Sequence, residues 1–398
     1  MKKKIFFLLS VLPLLISCSG ERKTLDNNDE LIYVKLENFS QMEGVESLSS
    51  IASDITYIPL ETSEYSLLGD ISRIVCLGNS YLISDVDNIY LFNDEGKFIK
   101  NIAQKGQGPS DYTAGVNNII IDSSTKKFYL FSVDKVIVFD ENGDFLRNFI
   151  VESTEKGVYN VYQSGMFTDN RTLMLGLLNR VKIHGDTTIS YNLKEVDTLG
   201  NIVSKYINYS PRYAQSRLGQ VSYNSAIYEF NGKIRFMDFG NDTIFSIING
   251  HMIPYAICDL GKSKTNLIID NSTNKNTYPD GYYVRKVIEN EDFLFFELKD
   301  ANSMLFLNCL YNKKTNDFKV LKGNGMLNDL DGGVSFFPQK SLNSNELIGW
   351  KSAEEFKEEI LSKNYNENAK YGERFERVYQ LAKSLKDDDN PVLIITRK

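Results

Sequence analysis

Histidine is nearly absent. The 398 residues contain two, His184 and His251. Zinc centres draw on His and Cys ligands brought close together, and two histidines this far apart in the chain do not supply one. Of the four cysteines, Cys76, Cys258 and Cys309 each sit in an apolar, strand-like run ("RIVCLG", "YAICDL", "FLNCLY"), with no CxxC or close pair. They read as core thiols rather than a disulfide framework. No GxSxG occurs, which excludes the nucleophile elbow of α/β-hydrolases. No GxxxxGK[ST] occurs, which excludes a P-loop. After the first 17 residues no apolar run is long enough to cross a bilayer. The net charge of −7 denies the chain the basic face that a nucleic-acid partner requires. What remains is an ordinary globular composition, 42% hydrophobic and 24% charged, rich in Phe and Tyr and poor in Pro. That balance favours strands.

The N-terminus carries an address. Lys2, Lys3 and Lys4 precede the apolar run "IFFLLSVLPLLIS" (5–17), too short to span comfortably, and the run ends in "LISC" with Cys18 last. This resembles a bacterial lipobox: residues 1–17 are a lipoprotein signal peptide and Cys18 is the lipidated residue. Two or three acyl chains, at about 0.8 kcal/mol per buried methylene, hold far more firmly than one. Residues 18–30 are polar and lack apolar periodicity, as expected of a flexible tether. A domain follows over 31–398.

That domain repeats. "YLISDVDNIYLFNDEGKFIKNI" (81–102) aligns with "FYLFSVDKVIVFDENGDFLRNF" (128–149), and the turn glycines Gly96 and Gly143 lie 47 positions apart. Each copy is two strands about a tight Asp/Asn/Gly turn. Further copies place turn glycines at Gly200 and Gly250, a fifth runs over 291–321, and a sixth starts at 332–350. Short strands at such a period are the signature of propeller blades. The span from Ile71 to Gly349 holds close to six periods. The sixth unit is interrupted by helical patterning. Ser352 and Glu355 form a capping box ahead of "FKEEIL". Tyr371, Phe375, Val378, Tyr379, Ala382 and Leu385 make one apolar stripe over 369–386. The expected class is an all-β six-bladed propeller with a helical insertion at about 352–386 before a ring-closing strand at about 391–397. An unclosed ring would expose strand edges, so "PVLIITRK" is expected to complete a blade with N-terminal strands such as "DITYIPLE" (54–61).

Between two repeats lies "KGQGPSDYTAGVNNIIID" (105–122), with Gly106, Gly108, Tyr112, Gly115 and Asp122 spaced as in NHL-type repeats. The lipobox, "ITYIPLET", "KGQGPSDY", "NDTIFSI" and the terminal "DNPVLIITRK" together resemble the six-bladed β-propeller lipoproteins of Bacteroides-type bacteria, over essentially the whole mature chain. The resemblance implies an outer-membrane lipoprotein of the cell envelope, facing the periplasm or the surface. Glu21 followed by Arg22 and Lys23 leaves both orientations open.

Chemistry is sparser. The acidic clusters "DVDN" (85–88), "DENGD" (140–144) and "DDD" (387–389) read as hairpin turns or solvated caps. Asp140, Asn142 and Asp144 begin like an EF-hand loop, but Val151 stands at its twelfth position. No metal ligands are assigned and no cofactor is expected, although the calcium held in the channels of lactonase-like propellers keeps that ion open. Catalytic residues cannot be picked out, because propeller sites draw residues from several blades. "NYSPRYAQSRLG" (208–219) and "NKNTYPDGYYVR" (274–285) combine aromatic faces with forked donors, a recognition composition. With the joint they nominate Tyr112, Arg212, Tyr213, Arg217, Tyr282 and Arg285 for ligand binding on one face near the channel mouth. Inter-blade packing is the competing reading for each. The expected function is a lipid-anchored binding or interaction module for a glycan, a peptide or another envelope protein. The alternative is a calcium-dependent hydrolase or lyase with a central-channel site. Membrane contact is expected through the anchor alone, without a nucleic-acid partner.

Cys18→Ala is expected to release the protein from the membrane fraction and abolish palmitate labelling; labelling that persists overturns the anchor assignment.

Overall fold

The structure is a computed structural model. It describes residues 30–36, 43–85, 88–113, 115–133, 135–152, 162–177, 191–207, 225–238, 241–265, 281–301, 303, 305–323, 325–363 and 369–398. In blade 1, strands Arg73–Leu77, Ser80–Ser84, Asn88–Asn93 and Phe98–Gln104 pair antiparallel in sequence order. Blades 2 to 5 repeat this plan over 116–149, 162–207, 226–259 and 282–321. The residue patterns explain the order. Second and third strands such as Lys127–Ser132 (KFYLFS) and Val136–Asp140 (VIVFD) are apolar on both faces, because each is sandwiched between neighbouring blades. The fourth strand, Phe145–Phe149, is largely solvated and alternates.

Blade 6 is assembled from both ends of the described chain. Lys340–Ser341 and Glu346–Lys351 are followed by Val392–Arg397, and Asp54–Pro59 supplies the fourth strand. The register runs Val392↔Pro59 to Arg397↔Asp54 on one side and Lys351↔Val392 to Glu346↔Arg397 on the other. The expected six-bladed propeller, closed through residues 54–61, is therefore the fold observed.

The segment before Asp54 goes further than the sequence suggested. Ile32–Lys35 adds as a parallel strand outside His251–Asp259 of blade 4, and Glu43–Gly44 adds outside Phe318–Leu321 of blade 5. Val34 and Leu36 are fully buried, while Leu31 and Tyr33 are about half exposed. This strap satisfies strand edges that would otherwise invite pairing with other chains.

The core is not one body. Six apolar clusters among the described residues each lie at one seam between blades. Ile348, Leu393 and Ile395 of blade 6 meet Ile74, Ile83 and Phe92 of blade 1. The repeated turn glycine serves these seams: Gly143 has φ 75°, and a Cβ there would run into the Ile102 side chain of the preceding blade.

Helices α1 (Ala353–Leu361) and α2 (Glu373–Ser384) are inserted between the second and third strands of blade 6. The capping box forms as expected: the Ser352 amide donates to Glu355 and the Glu355 amide to Ser352 Oγ, both at 3.1 Å. Phe356, Ile360, Val378 and Ala382 join the seam between blades 5 and 6, with the Tyr57 ring edge-on to Phe356 at 5.4 Å. The continuous helix expected from 369 is instead a short 3₁₀ turn, Ala369–Tyr371, followed by α2. Gly372, at φ 59°, breaks the two apart.

Leu393, fully buried in the closing strand, is the sharpest probe of closure. Leu393→Ala is expected to destabilise the domain by about 2–5 kcal/mol, and deleting 391–398 is expected to abolish cooperative unfolding. Thermal melts test both, and an unchanged midpoint in the truncated chain contradicts closure by this strand.

Candidate functional site

The joint "KGQGPSDY" is compact. Gly106 N donates to Tyr112 O (3.0 Å) and Tyr112 N to Gln104 O (3.2 Å). The Asp111 carboxylate folds back to accept from Gly108 N at 2.9 Å. It packs so closely that a Cβ on Gly106 would collide with it. Lys135 and Asn148 of blade 2 donate to the carbonyls of Gly108 and Pro109, at 3.1 and 3.0 Å. Tyr112 is 1% exposed and lies in the seam between blades 1 and 2, where it packs rather than faces solvent.

Of the other nominated residues, Arg212, Tyr213, Arg217 and Cys18 lie outside the described residues. Tyr282 and Arg285 are half-buried on Tyr282–Glu289, the innermost strand of blade 5. The Arg285 guanidinium pairs with Glu297 on the next strand and lies 4.9 Å from the Phe306 ring centre. A register shift between Val284 and Lys286 leaves Arg285 as the extra residue of a β-bulge, a device that re-aims side chains. Comparable shifts fall in the innermost strands of blade 2, between Val116 and Asn118, and of blade 3, between Tyr162 and Ser164.

The acidic cluster at 140–144 serves its hairpin. Asp140 Oδ1 accepts the amides of Asn142 and Asp144, both at 2.9 Å. Asn93 and Asp197 hold the equivalent turns of blades 1 and 3 in the same way. A second carboxylate is buried between blades 4 and 5. Glu289 accepts from Tyr228 (2.8 Å), Tyr255 (2.5 Å) and Lys313 (2.5 Å), and the Arg235 guanidinium lies 3.5 Å from the Tyr255 ring centre. Burial, then the Glu289 charge, holds the Tyr228 phenol well above its usual pKa. This network fastens two blades.

Innermost strands line the central channel of a propeller. Here they carry a ring of polar side chains, each turned toward the next blade. Lys286 lies on the side of its strand that also carries Ile288, which packs at the seam with blade 6. Lys340 of blade 6 donates to Ile74 O of blade 1 at 3.1 Å. Arg73 of blade 1 donates to Val116 O of blade 2 at 3.4 Å. Asn118 of blade 2 is 8% exposed, its Nδ2 has no partner, and it shares a strand side with Ile120 at the seam with blade 3. Ser164 of blade 3 bonds Ser225, just before blade 4, at 2.6 Å.

Three consecutive blades, 5, 6 and 1, thus give the ring a cation each. Desolvation pulls the Lys340 ammonium down to about 8; nearby Cys76 opposes this and Arg73 reinforces it. Desolvation likewise lowers Lys286 to about 8, opposed by Glu297 and reinforced by Arg285 and Lys340. Lys340 is nonetheless exposed in part to solvent. Burial lowers Arg73 and raises the Cys76 thiol to about 11. Sequence reasoning missed Arg73, Lys286, Lys340 and Asn118. Their signal was a charge or amide inside otherwise apolar inner strands, as in "RIVCL" and "VNNIIID".

A family model described as "Domain of unknown function (DUF4934)" matches residues 34–397, and the chain belongs to that family. The matched span opens in the strap and ends in the closing strand. No curated protein matches the chain. Among solved structures, a Bacteroides fragilis protein inferred to be exported superposes with a TM-score of 0.64 at 17% identity, over 93% of this chain and 100% of its own. At that identity the likeness supports the fold. A protein of unknown function from Bacteroides caccae matches 67% of this chain and 80% of its own (TM-score 0.33, 12% identity). The Neurospora crassa Pan2 WD40 domain matches 64% and 66% (TM-score 0.38, 8% identity).

Two ammonium groups held near 8 make stability depend on pH. Unfolded, they titrate near 10.5. Between about 8 and 10.5 the folded chain therefore binds fewer protons than the unfolded one, and this contribution to stability rises with pH. Below 8 both are charged and the destabilisation is complete. Lys286→Met, at the less exposed of the two, is expected to raise the melting midpoint at pH 7, with the gain shrinking as pH rises from about 8 to 10.5. A lower midpoint at pH 7 contradicts this electrostatic account.

Proposed function

We propose that this DUF4934 protein is a ligand-binding module of the bacterial envelope, anchored in the outer membrane by lipid on Cys18. It takes its ligand at the end of the channel where the innermost strands begin. The Lys2–Lys4 charges, the short apolar run and "LISC" support the address, and the inferred export of the Bacteroides fragilis neighbour agrees with it. One observation carries the binding site. Inner strands that pack apolar seams on both sides also place Lys286, Lys340 and Arg73 on three successive blades, with the last two donating to backbone carbonyls. Desolvated like charges weaken a fold, so their presence points to a use beyond packing. Tyr282 and Arg285 share the blade 5 strand with Lys286 and extend the surface. A glycan, a peptide or an envelope protein presenting a protruding segment suits such an opening.

A glycan and peptide array probed with the protein tests this reading. Any hit is expected to weaken about thirtyfold or more in Arg73→Ala and Lys340→Ala, the loss typical of a well-packed contact. Lys126→Ala, at an exposed hairpin pair with Glu141, is expected to bind as the parent does. Hits indifferent to both channel substitutions contradict the site. Release of a reaction product during incubation would replace binding with catalysis.

A further inference from the structure

Among the described residues, the charges that act on Lys286 and Lys340 do not balance. Arg73, Lys286 and Lys340 are joined by Arg285, yet Glu297, the carboxylate that acts on Lys286, is already paired with Arg285. Glu346, near Cys76, is held by Arg397 at 2.7 Å. The cations also keep donors in hand. An ammonium has three N–H groups and a guanidinium five. Lys340 and Arg73 each donate to one backbone carbonyl. Next around the ring, in blade 2, the Nδ2 groups of Asn117 and Asn118 are buried without a partner. A buried, unpaired donor is costly, and here two stand on the strand whose Val116 carbonyl accepts from Arg73, in a chain whose net charge is −7. Donors and excess positive charge around one narrow space are what an oxyanion requires. Its oxygens accept several charge-assisted bonds at once and neutralise the repulsion among the cations. Walls of low dielectric focus the field of such a cluster.

We propose that the ligand is recognised through an oxyanion, a carboxylate, sulfate or phosphate, seated between Arg73, Lys286 and Lys340, with the Asn117 amide of blade 2 next around the ring. This rests on the binding site proposed above and names the chemistry it selects. The donor set is shared by an acid-bearing sugar and by a free inorganic anion. Affinity falls as pH rises through about 8, where Lys286 and Lys340 lose their protons. Arg285, Glu297, Arg73 and Cys76 face them and set that midpoint.

The test is calorimetric titration of the detergent-solubilised full chain with glucuronate, inorganic sulfate, inorganic phosphate and glucose at pH 7 and pH 9. Oxyanions are expected to bind at pH 7, glucose not at all. Binding is expected to weaken at least about tenfold at pH 9 and in Lys286→Met/Lys340→Met. Lys340→Arg, which keeps one of the two charges at high pH, is expected to bind as the parent does at pH 7 and to lose less affinity at pH 9, and guards against a variant that merely misfolds. Preference for glucuronate identifies an acidic ligand as the source; preference for sulfate or phosphate identifies a free anion. Equal binding of glucose and glucuronate, or oxyanion binding indifferent to pH 9 and to the double variant, overturns the oxyanion assignment. A neutral array hit that still depends on Arg73 and Lys340 would overturn it while leaving the channel-end binding site standing.

Discussion

The structure depends on one antiparallel pairing, Val392–Arg397 against Asp54–Pro59. A propeller has no central core; its apolar surface is buried seam by seam. Two of the six seams here, 5–6 and 6–1, need blade 6 complete. The third strand of that blade is nearly all buried, and the fourth comes from the other end of the domain. Each blade is thus held on both sides only once the ends have met. The strap that precedes Asp54 lies along blades 4 and 5, so the N-terminal segment binds three successive blades. The helical pair covers the seam between blades 5 and 6.

The candidate site straddles that closure. Lys340 belongs to the closing blade, Lys286 to the blade before it and Arg73 to the blade after it. Lys340 Nζ crosses the 6–1 seam to reach Ile74 O. The cations come together only in the closed ring, where burial lowers both lysines. Folding therefore brings these three cations together, and the closure strand holds the arrangement in place. An anion entering from solvent would lower the energy of an already finished frame, with little rearrangement of the strands beneath.

Much of the frame was legible because it repeats. The turns at Asn93, Asp140 and Asp197 use one side-chain device, and the Ser352 capping box is local. Such features need only neighbouring residues. The partner of "PVLIITRK" was legible through the constraint that a ring must close. The strap was not: Ile32–Lys35 is short, and its pairing with blade 4 depends on contacts far along the chain. Tyr112 illustrates the limit on reading a site, since an aromatic at a joint fits packing and binding equally until its burial is known. Arg73, Lys286 and Lys340 lie in different repeats, at positions that have no common motif. Only the circular arrangement of the blades brings them together.

Crystals soaked in sodium selenate at pH 7 give the most direct measurement, because selenium marks an oxyanion by its anomalous scattering. The account predicts a selenium peak at the channel end, within hydrogen-bonding reach of Arg73, Lys286 and Lys340. Peaks confined to the outer surface, with the channel end empty, would contradict it.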